Sequence, residues 1–211
     1  MAIRRNNNNK NKRNPLMRKT QRIPRPRIQF DGTTIRTSFT ANDLTTATNI
    51  VGTFQYIGAG FAGSACGTAA NGIAQLYSQY KFTQMSMQWL PGVAPGVAAG
   101  GGRVYISYLD NPEKISNFLA LTEANKILAI KSMRNMVSWN VWENKTFNIP
   151  LTFRRKSFSV DGTQAVGVDN YERTLQGLVC IGAESVGAAD TIGKFVIRTT
   201  LVLEGFSNIA S

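Results

Sequence analysis

Apolar and polar side chains alternate with a period of two along most of the chain, and the pattern is clearest over residues 81–90. There Phe82 leads into Met85, Met87 and Trp89 on one face, with Gln84, Ser86 and Gln88 on the other, as in a strand buried on one side. The last stretch repeats it. Phe195, Ile197, Leu201 and Leu203 share a face, while Lys194, Arg198 and Glu204 share the opposite one. Fainter versions over 33–40, 49–57, 103–109, 134–142, 145–151 and 175–183 bring the expected number of strands to eight.

Two segments break the rhythm. Ile73, Leu76, Tyr77 and Tyr80 stand at i, i+3, i+4 and i+7, which predicts a short helix opened by Asn71. Ile115, Phe118, Leu119, Ile127 and Leu128 predict one or two helical pieces between about residues 112 and 130. Eight strands with one apolar face each require two sheets packed face to face, as in a jelly roll or an immunoglobulin-like sandwich. A body running from Ile28 to Ser211 exceeds a bare immunoglobulin module of ~100 residues, so the length favours the jelly roll. The expected interior contains Met85, Met87, Trp89, Phe147, Ile149, Ile197, Leu201 and Leu203.

Composition narrows the chemistry. The 211 residues include no His, which removes Ser-His-Asp and Cys-His catalysis and His-ligated metals. Cys66 and Cys180 stand far apart without CxxC spacing, so neither a disulfide framework nor a zinc knuckle is expected. They read as small buried apolar residues in a reducing compartment. With 43% apolar residues the chain has a core, yet its pI near 10.1 points to an anionic partner.

The charge is unevenly placed. Arg4, Arg5, Lys10, Lys12, Arg13, Arg18, Lys19, Arg22, Arg25 and Arg27 precede residue 28, and no acid appears before Asp31. The remaining fourteen cations face twelve acids, so the rest of the chain holds +2 of the net +12. With the Asn6 to Asn9 run, three prolines and few apolar groups, residues 1–28 lack the surface to offset their ordering entropy. A disordered arm that meets an anion is expected. A solubilising tail and a transit peptide are the alternatives; the Asn and Pro content opposes the amphipathic helix of the latter. No apolar run follows the basic residues, so no secretory signal is expected, and the sequon at Asn144 reads as chance.

Residues 44–80 carry no charge, but six glycines and Thr53, Gln55, Ser64, Thr68, Asn71 and Gln75 between Ile50 and Leu76 argue against a membrane span. This stretch reads as strand, glycine-rich loop and short helix. Residues 58–63 match GxGxxG, yet the next acid is Asp110 and no helix is expected directly after Gly63, so a flexible surface loop is expected instead of a dinucleotide site. Residues 92–102 lack the Lys-Ser/Thr of a phosphate loop and read as a hairpin turn. Asp110, Asn111 and Glu113 put two carboxylates and an amide into one turn. Such oxygens suit Ca²⁺, although three donors cannot complete its shell of 6 to 8, and a solvated loop is the competing reading. No catalytic residues are identified.

Taken together, the basic Asn/Arg arm, the proline-containing linker and the eight-strand body resemble coat proteins of small icosahedral RNA viruses: the sobemovirus and tombusvirus shell domain, with nodavirus shells close behind. Local matches carry the resemblance. Tyr80-Lys81-Phe82 through Trp89-Leu90-Pro91, a glycine-rich turn, and Gly102-Arg103-Val104-Tyr105-Ile106-Ser107-Tyr108-Leu109-Asp110 are similar to the family's strands D and E. Val141-Trp142 followed by Phe147-Asn148-Ile149-Pro150 resembles the step from F to G, and Gly177-Leu178-Val179 to Gly193-Lys194-Phe195-Val196 resembles H and I.

The resemblance implies an all-β, eight-stranded antiparallel jelly roll with sheets BIDG and CHEF and short helices, preceded by the disordered arm. It implies domains 1–28 (arm) and 29–211 (shell), and a homo-oligomeric icosahedral shell around genomic nucleic acid, expected to be single-stranded RNA. The virion is the expected location, with host cytoplasm during assembly, no membrane and no enzymatic activity. Calcium at subunit interfaces, through Asp110 and Glu113 with Asn208 as the amide ligand, is also implied. The family's turn commonly has paired aspartates, and no projecting domain is expected after the last strand. A cellular RNA- or single-stranded-DNA-binding β-domain with a basic tail is the alternative; a nearly neutral body with its aromatics on core faces argues against it.

Overall fold

The computed structural model describes residues 32–41, 43–45, 50–61, 63–96, 101–151, 157–160, 166–184 and 191–206. The expectations for the arm and for Asn208 lie outside the described residues. Chain order is β1 (Thr33–Thr40), β2 (Leu44–Thr45), β3 (Ile50–Ile57), α1 (Gly67–Ala74), β4 (Tyr77–Pro91), β5 (Arg103–Leu109), α2 (Pro112–Leu119), α3 (Glu123–Ser132), β6 (Val137–Asn140), β7 (Lys145–Asn148), β8 (Phe158–Ser159), α4 (Val168–Thr174), β9 (Gly177–Glu184) and β10 (Thr191–Phe206).

The long strands make two antiparallel sheets, ordered β1-β10-β4-β7 and β3-β9-β5-β6. Lettering the eight principal strands B to I along the chain turns these orders into BIDG and CHEF, so the sandwich is the expected jelly roll. The short β2 and β8 add themselves to β10 and β4. Alternation aims Phe82, Met85, Met87, Trp89, Phe195, Ile197, Leu201 and Leu203 into the gap between the sheets, where Val104, Ile106, Val179 and Ile181 meet them. The expected interior is all there, with Phe147 half-buried at its margin.

One irregularity is written in the sequence. The buried parity changes between Phe82 and Met85 because the β10 pairing jumps from Thr200↔Gln84 to Leu201↔Phe82, leaving Thr83 as the extra residue of a β-bulge. On its other edge β4 pairs with β7 from Ser86 to Trp89 and with β8 at Gln79 and Tyr80, so Phe82 has no strand beside it. The buried side chain of Gln176 stands in for one. Its Oε1 accepts from Phe82 N at 2.8 Å, and its Nε2 donates to Phe82 O at 2.9 Å. Gln176→Leu would leave both backbone groups buried and unpaired, so we expect a loss of about 2–6 kcal/mol in urea unfolding, at about 1–3 kcal/mol per orphaned group.

Helices α2, α3 and α4 form a third layer on the β3-β9-β5-β6 sheet. Asn111 caps α2, its Oδ1 accepting from Lys114 N at 3.1 Å, with Pro112 at the first helical position. Ile115, Phe118 and Ile130 then pack with Tyr171, Leu175, Leu178 and Cys180 into a second apolar cluster. A Cβ on Gly52 would lie 2.7 Å from Glu123 O and 2.8 Å from Lys126 Cβ, so α3 sits directly on the β3 backbone. Gly52→Val should displace α3 and cost about 1–3 kcal/mol in thermal unfolding.

At the other end of α3, Lys131 Nζ meets Glu184 Oε1 at 2.5 Å, and Tyr105 OH donates to Glu184 Oε2 at 2.7 Å. Burial pushes the Glu184 carboxyl up, but the Lys131 ammonium and the Tyr105 hydroxyl outweigh it and leave it below its ordinary value. A depressed carboxyl stabilises the fold above its unfolded pKa, and that contribution is lost as pH falls through the lower folded one. Both partners are a third exposed, so solvent screening limits the pair to about 1 kcal/mol or less. Glu184→Gln should accordingly flatten the acid limb of a melting-temperature profile only slightly.

Two expectations for connections are corrected. The helix foreseen at Ile73–Tyr80 forms earlier, as α1. Ile73 and Leu76 are largely exposed, while Tyr77 and Tyr80 already belong to β4, where pairing with β10 and β8 captures them. Residues 92–102 are no hairpin turn, because β4 and β5 lie in different sheets and this connection crosses from one to the other.

Candidate nucleic-acid interface and acidic turn

None of the ten arm cations falls among the described residues, so the sites legible in the body are the glycine loop and the acidic turn. The GxGxxG segment is not the flexible surface loop expected: Gly58, Ala59, Gly60 and Phe61 are all buried. Asn71 explains this. Instead of opening a helix it sits inside α1 and turns its amide back, accepting from Gly60 N at 3.2 Å and donating to Phe61 O at 2.8 Å. Ser64 Oγ donates to the same Asn71 Oδ1 at 2.5 Å, and Gln75 Nε2 reaches Gly60 O at 2.6 Å. Gly60 and Gly63 have φ of 98° and 79°, which side chains rarely adopt. No charged side chain lines the adjoining hollow of about 710 Å³, and α1 begins four residues after Gly63, so the pyrophosphate cradle is not formed.

At the acidic turn, Asp110 follows β5 and Glu113 lies in the first turn of α2. Asn111 Oδ1, foreseen as an oxygen donor, is committed to the helix cap. Asp110 lines a hollow together with Lys114, Asn117, Arg134 and Asn135, so two cations share its surroundings. Among the described residues no three His, Cys, Asp or Glu side chains gather in metal-ligating range. A calcium ion here would therefore need oxygens besides these two carboxylates.

The cysteines take the expected place: both are buried free thiols, and burial pushes their pKa up, most strongly at Cys180. Sequence reasoning missed Gln176 and Asn71. Each is a buried amide between apolar neighbours, a signal that points to a paired polar group without naming its partner.

No family model matches the chain, and no curated protein matches its sequence. Solved structures do match. The shell of Macrobrachium rosenbergii nodavirus, a virus of the giant freshwater prawn, superposes with TM-score 0.64 at 13% identity, over 92% of this chain and 93% of that one. Cocksfoot mottle virus gives 0.64 at 13% identity over 84% and 97%, and tobacco necrosis virus 0.68 at 13% over 84% and 98%. The fold is thus the jelly roll of tombusvirus, sobemovirus and nodavirus shells. Identities this low speak for the fold alone.

Proposed function

We infer that the chain is a coat protein, whose copies close into an icosahedral shell around single-stranded nucleic acid, with RNA the expected genome. The carrying observation is the BIDG/CHEF sandwich with its helical layer, superposing on virus shells over more than four-fifths of the chain. The ten-cation arm fits the packaging half of this reading, because Lys and Arg neutralise phosphates whatever the base sequence. The role is structural, not enzymatic, and the protein resides in the virion after assembly in host cytoplasm. No described helix is long and apolar enough to cross a membrane. Electron microscopy of the purified chain is the test. Particles of uniform diameter are expected; a soluble monomer that binds RNA without assembling would return the reading to a cellular single-strand binder.

Calcium belongs to this reading as a clamp between copies, with Asp110 and Glu113 from one chain and further oxygens from its neighbour. Particles should swell when chelator is added at neutral pH, since uncompensated carboxylates at an interface repel. Asp110→Asn particles should lose that response; particles that stay as chelator-sensitive as the parent's would remove calcium from the account.

A further inference from the structure

Nothing in the packing around Gly72 requires a glycine. The residue lies inside α1, it is not one of the glycines with positive φ, and a Cβ on it would meet no atom within 4 Å. Its effect there is to weaken the helix, because glycine loses more backbone freedom on folding than alanine does. α1 has little in reserve against that loss. Cys66 at its N-cap makes no side-chain capping bond, its first and last turns carry no charge, and only Ala70, Asn71 and Ala74 are buried.

The residue before this glycine is the one that holds the loop. Asn71, 7% exposed, is the only asparagine in the chain followed by glycine. Its Oδ1 accepts from Gly60 N, Ser64 Oγ and Cys66 Sγ, the last at 2.6 Å, and its Nδ2 donates to Phe61 O. The whole amide is thus spent on fixing Gly60, Phe61, Ser64 and Cys66 to the helix. An Asn-Gly pair also has a reaction of its own: the glycine N attacks the side-chain amide carbon, and no glycine side chain hinders closure of the five-membered ring. The helix forbids that attack. Its geometry points the Gly72 N–H along the axis to the carbonyl four residues earlier, away from Asn71 Cγ.

We propose that Asn71 is a site of spontaneous deamidation that folded α1 holds shut, so that a chain whose α1 opens is irreversibly marked there. Gly72 N gives up its proton and bonds to Asn71 Cγ, the Cγ–Nδ2 bond breaks, and ammonia leaves with that proton. Water then adds to the succinimide ring and opens it on one side or the other, to aspartate or to isoaspartate. Neither product rebuilds the loop. The aspartate lacks the Nδ2 donor, turns a carboxylate oxygen on Phe61 O, and buries a charge beside a hollow that no charged side chain lines. The isoaspartate routes the main chain through the side-chain carbon, and the added backbone atom breaks the i→i−4 ladder of α1. One glycine therefore sets both how readily the helix opens and how fast the open form reacts, and the conversion counts the time spent open.

The test follows the full-length chain at mildly alkaline pH by peptide mass mapping, which separates Asn71 from its two products, in buffer and in urea. In urea Asn71 should convert faster than Asn125, an exposed asparagine followed by Lys126. In buffer its conversion should be slower than in urea by more than about tenfold, the protection expected of a helix that must open first. G72A should suppress the reaction in urea and keep the fold, because the added methyl enters open space, and its thermal midpoint should lie at or above the parent's. N71D, which reproduces one product, should melt below the parent or fail to fold. Equal rates in buffer and urea would overturn the proposal, as would a G72A chain that converts as fast as the parent in urea. An N71D chain that melts with the parent would overturn it too, because the mark would then leave the loop in place.

Discussion

Trp89→Ala should destabilise the body by about 3–5 kcal/mol and prevent soluble expression. The indole is fully buried in β4, with its ring centroid 5.0 Å from that of Phe195 on the neighbouring strand. A Cβ on Gly193 would lie 2.5 Å from its Cζ2, so the ring already fills the space down to the β10 backbone. Its Nε1 donates to Val141 O at 2.7 Å, just beyond the end of β6, and this bond ties one sheet to the other. Truncation therefore opens a cavity and strands a buried carbonyl together. Trp89→Phe separates the two effects: it keeps most of the packing, so its loss should be nearer the roughly 1–3 kcal/mol of an unmet buried polar group. Denaturant midpoints of the two variants provide the check, and an alanine variant that melts like the parent would place Trp89 outside the structural core.

The same packing explains what could be read from the sequence. β4 and β10 separate a dry interior from open solvent, so their alternation is strong and the interior could be named residue by residue. β9 lies between that interior and the helical layer; Leu178, Val179, Cys180 and Ile181 are all buried, and its alternation is correspondingly faint. The misplaced helix has a related cause. Four apolar residues at helical spacing cannot reveal that Tyr77 and Tyr80 will be claimed by β8 and β10, far later in the chain. Gln176 closes a gap 94 residues away, a contact no local pattern encodes. Of the candidate interfaces, the arm shows directly as a count of charges.

Deleting residues 2–27 should remove most of the affinity for RNA while leaving the body folded, since every described residue of both apolar clusters lies at or beyond Ile35. Ten neutralised phosphates at about 0.7 each would give the arm a salt slope of up to about −7, or roughly a 10⁴-fold loss of affinity between 50 and 200 mM salt. Measured slopes should be smaller, because arm charges left in solvent release no counterions. After the deletion the slope should flatten towards zero, and whatever binding remains should be the same for RNAs of different sequence. With the arm's ten cations gone, any closed particles should hold less RNA, which the ratio of absorbance at 260 to 280 nm would report. A truncated chain that keeps the parent's slope, or prefers one sequence, would move the affinity into the folded body, where base readout requires stacking rings and a groove. The exposed ring of Phe206, edge-on to Tyr77 with centroids 5.4 Å apart, would then be the first place to look, and that result would favour the cellular single-strand binder.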